Sequence, residues 1–283
     1  MKLSRLFVYP VKSLAGIELD AARVDDFGIQ HDRRWLVTDA HGIALTQRDL
    51  ASMTLIRPSI VDAGLMLSAP DHASIEVGIP GNNAVTVTVW NDTVTAQDAG
   101  ARPAEWLSDF LGHHVRLVYM PDDTFRRVDP RYSPAPRRVS FADAYPFLLV
   151  TQESLDELNR RLEQPIGIER FRPNIVVSGA PAPHAEDDWK RIRIGELEIQ
   201  IVKPCARCAI PTIDPLTGER GKEPTRTLST YRRRDGKVYF GQNALHSGPG
   251  KLSVGEAVEV AAAVSEQPVR WSSALPLRST PST

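Results

Sequence analysis

The chain has 283 residues, 42% hydrophobic and 24% charged, the balance of a soluble globular protein and not of a disordered or fibrous one. Its 34 Lys and Arg nearly cancel its 35 Asp and Glu, which argues against a surface tuned to nucleic acid or anionic membrane. At this length one large β-rich unit or two closely packed units are expected, each able to bury a core. The opening "MKLSRLFVYPVKSLAGIELD" carries early positive charge, but Pro10 and Lys12 interrupt its apolar run before a signal sequence takes shape. No stretch reaches the roughly 18 to 20 apolar residues of a membrane-spanning helix. A cytoplasmic location without membrane contact is therefore expected, in a reducing compartment that disfavours structural disulfides.

Through the first hundred or so positions, "RRWLVTDAHGIALTQRD" and "AVTVTVWNDTVTAQD" alternate apolar and polar residues around turns expected at His41-Gly42 and Asn91-Asp92, the pattern of antiparallel strands. "RPAEWLSDFLG" then predicts a short helix opened by Pro103, with Trp106, Leu107, Phe110 and Leu111 on one face and Gly112 as its stop. The stretch from Met120 to Arg138 is dense in Pro, Asp and Arg and lacks periodicity, so it reads as a connection or domain boundary. Beyond it "YPFLLV" predicts a buried strand, and "TQESLDELNRRLE" a helix capped by Thr151 or Ser154 with Leu155, Leu158 and Leu162 inward. "NIVVSG", "IRIGELEIQIVK" and "VGEAVEVAAAV" predict further strands, Asp235-Gly236 a hairpin turn, and the Ser/Pro/Thr-rich end a disordered tail. The fold class is mainly β with a few α-helices.

The two cysteines, Cys205 and Cys208, both fall in "VKPCARCAIPTID". A structural zinc site needs four ligands, and the histidines at 31, 41, 72, 113, 114, 184 and 246 supply no H-x₃₋₅-H pair to complete one. Thiol–disulfide exchange wants the pair at the start of a helix, and "IPTI" offers no helical register. Burial as small apolar residues is a common fate of free cysteine. Lys203 and Arg207 nevertheless bring positive charge that favours thiolate, and a thiolate is a nucleophile or a soft-metal ligand.

The run "VKPCARCAIPTIDPLTGE", with "FRPNIVVSG", Trp189, "YPVKSLAG" and "DRRWLV", resembles the MOSC family, and within it the amidoxime-reducing and N-hydroxylated-base-reducing branch. The motifs follow in order across roughly residues 1 to 262. The resemblance implies a MOSC N-terminal β-barrel domain over 1–120, packed on a β-rich MOSC domain over 121–264 that binds molybdenum cofactor, with 265–283 as the tail. It implies that Cys208 is the one protein ligand of the molybdenum and the catalytic residue, with Cys205 a neighbour. Lys12, Ser13, Arg33, Asp143, Arg172, Asn174 and Arg207 would then cradle the anionic pterin, the arginines through planar forks suited to phosphate.

Each of these residues has a plainer reading. Lys12 and Ser13 suit a turn after Pro10, Arg33 a surface pair with Asp32, Arg172 a solvated loop, and Asp143 a turn before the strand. His113-His114 suit a helix end, and "RRRDGK" a solvated hairpin tip that also suits an acidic partner. The chain departs from the family pattern in having Ala206 where a serine is frequent and Asn243 where the mitochondrial reductases carry an aromatic. With neither a ferredoxin-like extension nor an aminotransferase-like domain in the sequence, the resemblance implies an external electron donor (a flavin reductase, or a ferredoxin-like or cytochrome b5-like protein) rather than a cofactor sulfurase. The activity implied is a molybdenum-dependent oxidoreductase that reduces N-hydroxylated substrates such as hydroxylamines and amidoximes to amines and water. A non-catalytic carrier of the cofactor or its sulfur is the alternative, and a thiol redox protein a third.

Overall fold

The structure, a computed structural model, describes residues 1–261. The expected tail over 265–283 lies outside the described residues. The chain is mainly β, as its alternating patterns predict. A nine-stranded sheet dominates. Its order runs Val258–Val260, Arg191–Ile194, Leu197–Ala206, Lys237–His246, Phe147–Thr151, Ile175–Ser178, Lys2–Val8 and Ile17–Leu19, with Arg233–Arg234 appended to Lys237–His246. The chain's first strand thus closes a sheet otherwise built mostly from its second half: Leu3 pairs with Val177 and Leu6 with Ile175. A second crossing joins Ala21–Asp25 to Gly250–Ser253. The two halves therefore share strands as well as side-chain contacts.

The first half otherwise forms a four-stranded sheet, Trp35–Thr38, Arg116–Tyr119, Asp92–Asp98 and Ala84–Val89, and a meander of Arg57–Val61, Gly64–Ala69 and His72–Gly78. Valines alternating with threonines explain the Ala84–Val89 strand, where Val87 and Val89 are buried. Its hairpin turn is Trp90-Asn91, one residue earlier than the polar dipeptide suggests, because Val89 pairs with Asp92. Trp90 consequently takes φ 57°, an uncommon conformation for a bulky side chain. The hairpin at Asp235-Gly236 forms as expected, both residues having positive φ.

The predicted helix forms over Ala101–Leu111, buries Pro103, Leu107 and Leu111, and ends at left-handed Gly112. The second predicted helix spans Gln152–Asn159, capped by Thr151, whose hydroxyl accepts from the Ser154 N–H. It stops before Leu162, which packs separately against the cluster of Leu155, Leu158 and Phe171. Between Tyr119 and Phe147 there is no strand, and buried Arg126 organises this connection. Its guanidinium donates to the carbonyls of Ser140 at 2.8 Å, Ala142 at 2.5 Å and Asp143 at 3.0 Å, fixing the segment that carries Asp143.

Candidate functional site

The loop Tyr9–Leu14 lies beside the segment 32–35, joined by Arg33 N–H to Tyr9 O at 2.7 Å and Lys12 N–H to Trp35 O at 2.9 Å. Facing both are the turn at Phe171–Asn174 and the cysteine loop that leaves the strand Leu197–Ala206. Together they wall an open pocket. All eight residues singled out from the sequence line it: Lys12, Ser13, Arg33, Asp143, Arg172, Asn174, Arg207 and Cys208. Ser13, Arg33 and Arg172 hold φ of 67°, 49° and 57°, left-handed conformations of the kind that surrounding structure sustains at functional sites.

The pocket wall is cationic. Lys12 is 6% exposed; its ammonium donates to Phe141 O at 2.8 Å and to Asp143 Oδ1 at 2.5 Å. Burial pulls the Lys12 pKa down, with the Asp143 charge opposing. For Asp143, desolvation acts against ionisation, but the Lys12 charge and hydrogen bond outweigh it and hold the carboxyl below the usual range. Asp143 stands at the mouth with its side chain 62% exposed, so it tempers the cationic wall without sealing it.

Arg33 does not form the surface pair that its neighbour Asp32 suggests. Its Nη1 donates to Asp32 Oδ2 at 2.6 Å with side-chain exposures of only 12% and 2%. Asp32 also accepts from Tyr9 N–H at 2.9 Å and from Asn174 Nδ2 at 3.1 Å. Asn174 in turn donates to Phe7 O and accepts from Arg33 Nη1 at 3.0 Å and from Leu148 N–H at 3.3 Å. The Asn174 amide is thus saturated within the protein, so it orients Arg33 instead of offering a free edge to a ligand.

Two guanidinium groups remain incompletely used. Arg172 Nη1 donates to Leu14 O at 2.6 Å, while its Nη2 is buried without a partner. Burial, aided by the nearby Arg33 charge, pushes the Arg172 pKa down to about 10, which leaves it a full cation at neutral pH. Arg207 donates from Nη2 to Phe171 O at 2.8 Å and from Nη1 to Cys205 Sγ at 3.1 Å, and its Nε is also buried and unpaired. Buried donors are rarely left orphaned, and charged ones least of all. Both groups are suited to an anionic partner.

Cys205 and Cys208 are both free and half-buried on this wall. Cys205 is therefore not a buried bystander. Lys203, expected to lend its charge to the pair, instead lies over the Tyr132 ring at 5.3 Å and does not line the pocket. After Cys208 comes only the short 3-10 turn Ile210–Thr212, not the helix a dithiol exchange site uses. Among the described residues no three His, Cys, Asp or Glu side chains converge as a metal cage.

Sequence reasoning missed Asp32 and Arg126 as positioning groups, and Thr46 and Arg48, which reach the pocket from the first half. Asp32 was legible through its adjacency to Arg33. Nothing local marks Arg126, whose three carbonyl partners lie 14 to 17 residues downstream.

A cationic, thiol-bearing pocket thus lies where the first half's loops meet the large mixed sheet of a mainly β protein. Residues 1–114 match the MOSC N-terminal beta barrel domain and residues 136–259 the MOSC domain. The chain belongs to the MOSC family. It is 32% identical over 281 residues to mitochondrial amidoxime-reducing component 1 of Xenopus laevis, an alignment covering 90% of this chain and 81% of that one. The Homo sapiens protein of the same name is 34% identical over 284 residues, covering 90% and 82%. A molybdenum cofactor sulfurase of Danio rerio is 31% identical over 287 residues, covering 90% of this chain but 34% of that one. The cytoplasmic location expected from the N-terminus is overturned by relatives named mitochondrial.

Proposed function

We propose that the pocket holds a molybdenum cofactor and that the protein reduces N-hydroxylated compounds to amines, drawing two electrons from an external donor protein and two protons, with water as the second product. The observation that carries this reading is the pair of unpaired buried guanidinium atoms, Arg172 Nη2 and Arg207 Nε, on the wall that also bears Cys208. An anionic, phosphate-bearing pterin suits the under-neutralised guanidinium groups of this wall, and a thiolate would complete a soft metal whose other ligands arrive with the cofactor. When bound, that cofactor supplies the two-electron reduction of the N–O bond.

The chain's own residues bind and orient. Arg172 and Arg207 neutralise the anionic groups, Ser13 adds a hydroxyl, and Cys208 anchors the metal. Arg33 adds positive charge and is held in place by Asp32 and Asn174. Lys12 pairs with the exposed Asp143 carboxylate at the edge of the pocket. Ala206 is exposed and supplies no hydroxyl, so that contact of the family pattern is missing here.

The test is to produce the protein with cofactor and measure molybdenum and pterin per chain for the wild type and Cys208→Ala. Stoichiometric metal is expected in the first and its loss in the second; undiminished metal in the variant sinks the ligand assignment. Likeness to a cofactor sulfurase favours a second reading, a carrier that delivers the cofactor. Reductase assays with a hydroxylamine and an artificial electron donor separate the two: a carrier retains metal but turns over no substrate.

A further inference from the structure

An exposed aromatic stands beside the mouth of the pocket. Trp90 sits at the first turn position of the hairpin between Ala84–Val89 and Asp92–Asp98, with φ 57° and 54% of its surface exposed. Gly, Asn or Asp are the usual occupants of such turn positions, because a branched or bulky side chain is strained there. A large indole held in that conformation and left in water is costly on both counts.

Its two partners line the pocket, which places the indole beside the mouth although it does not itself line the cavity. The indole Nε1 donates to Asp143 Oδ1 at 3.2 Å, the same oxygen that receives the Lys12 ammonium. The Arg48 guanidinium carbon lies 4.6 Å from the centre of the Trp90 ring. Arg48 and Asp143 both line the pocket, and the Arg48 carbonyl is tied across to Arg220 Nη2 at 2.8 Å. The result is a flat, mostly exposed aromatic surface at the lip of a polar cavity, clamped by one charged partner on its edge and another over its ring.

We propose that Trp90, backed by Arg48, is the substrate-selecting rim of this site. It stacks on the planar ring of an aryl N-hydroxylated substrate while the N–O group points inward, and so favours such substrates over small aliphatic hydroxylamines. Offset stacking of aromatic rings supplies the affinity, and the Asp143 hydrogen bond holds the indole in place. This assignment rests on the reductase reading for its substrate class. The deeper wall residues would set cofactor binding, and the rim would set the choice of substrate.

The test compares wild type with Trp90→Asn, which removes the ring while suiting the turn, and Trp90→Phe, which keeps an aromatic face. Benzamidoxime and N-methylhydroxylamine are assayed with an artificial donor, with rates normalised to molybdenum content. For Trp90→Asn the expected result is a KM for benzamidoxime raised about tenfold with kcat nearly unchanged, little effect on N-methylhydroxylamine, and substantial rescue by Trp90→Phe. Equal effects on the two substrates, no effect on either, or loss of molybdenum in the variants overturns it.

A second measurement needs no turnover. Benzamidoxime titrated into the oxidised protein without an electron donor should quench tryptophan fluorescence in the wild type and not in Trp90→Phe; the same quenching in both overturns the assignment. If the wild type reduces neither compound, the reductase reading fails, and the titration still decides the rim.

Discussion

Two buried polar clusters sit at opposite ends of the strand Phe147–Thr151, and they differ in how they close. At its start, Phe147 and Leu148 back the pocket, where Arg172 and Arg207 leave buried donor atoms unpaired. At its end, Thr151 joins Ser154 and fully buried Glu186, whose carboxylate accepts from Thr151 Oγ1 at 2.8 Å and from Ser154 Oγ at 2.8 and 3.0 Å. That second cluster satisfies its own carboxylate and ties the helix cap to the 3-10 turn Ala185–Asp187. Burial alone does not mark function; a buried charge lacking its complement does.

The comparison breaks most readily through Glu186. Replacing it with Leu leaves the Thr151 and Ser154 hydroxyls and the Thr151 N–H without their acceptor, at a cost of about 3 kcal/mol. Chemical denaturation should show that loss, while molybdenum per folded chain stays at the wild-type level. A variant that keeps its stability, or folds normally but loses metal, would erase the distinction between the two clusters.

Arg172→Met should do the opposite. Removing a buried cation whose partner is missing relieves the apoprotein, so its melting temperature should hold or rise despite the lost bond to Leu14 O. Cofactor affinity should fall by roughly thirtyfold, about 2 kcal/mol, through loss of a charge-assisted bond. Cofactor retention during dialysis, together with apoprotein melting, measures both. A destabilised apoprotein with unchanged retention would make Arg172 a structural residue.

Asn174→Ala should have a smaller effect on retention, because its amide acts through Arg33. The expected loss is about threefold to tenfold, with some loss of stability because buried Asp32 gives up one of its three donors and keeps those from Arg33 and Tyr9. Lost retention equal to that of Arg172→Met would give Asn174 a direct contact with the cofactor.

Much of the site could be read from the sequence, and for a physical reason. Lys12, Ser13, Arg33, Arg172 and Arg207 belong to short motifs that can be recognised locally, and all five line the pocket. Strand and helix positions were legible where apolar spacing decides them, as in Phe147–Thr151 and Ala101–Leu111. What the sequence hid is set at long range. The pairing of Lys2–Val8 with Ile175–Ser178 joins segments more than 160 residues apart and depends on sheet closure, not on local pattern. The turn at Trp90-Asn91 defeated a reading based on the polar dipeptide because strand register, not turn composition, placed it.

The Glu186 cluster has an orphan of its own, and it shows why charge is the discriminating property. Nδ1 and Nε2 of His184 are both buried without partners, and the ring lies 5.9 Å from that of Tyr231 and 6.1 Å from that of Phe240. Burial, reinforced by the Arg232 charge, pushes its pKa down to about 4, so the imidazole stays neutral where a guanidinium cannot. Below its ordinary value of 6.5 the unfolded chain takes up a proton that the folded chain refuses. Stability should therefore decline as pH falls from about 6.5 towards about 4, and flatten with respect to this group below that. Glu186 works in the other direction, since burial raises its pKa and protonation on acidification favours the folded state. His184→Asn, which suits the left-handed backbone at φ 63°, should flatten the decline without moving cofactor retention at pH 7. Denaturation midpoints from pH 7 to pH 4 for both proteins decide it: parallel curves would mean that His184 is not the group that titrates, and that a neutral orphan costs the fold as little at low pH as at high.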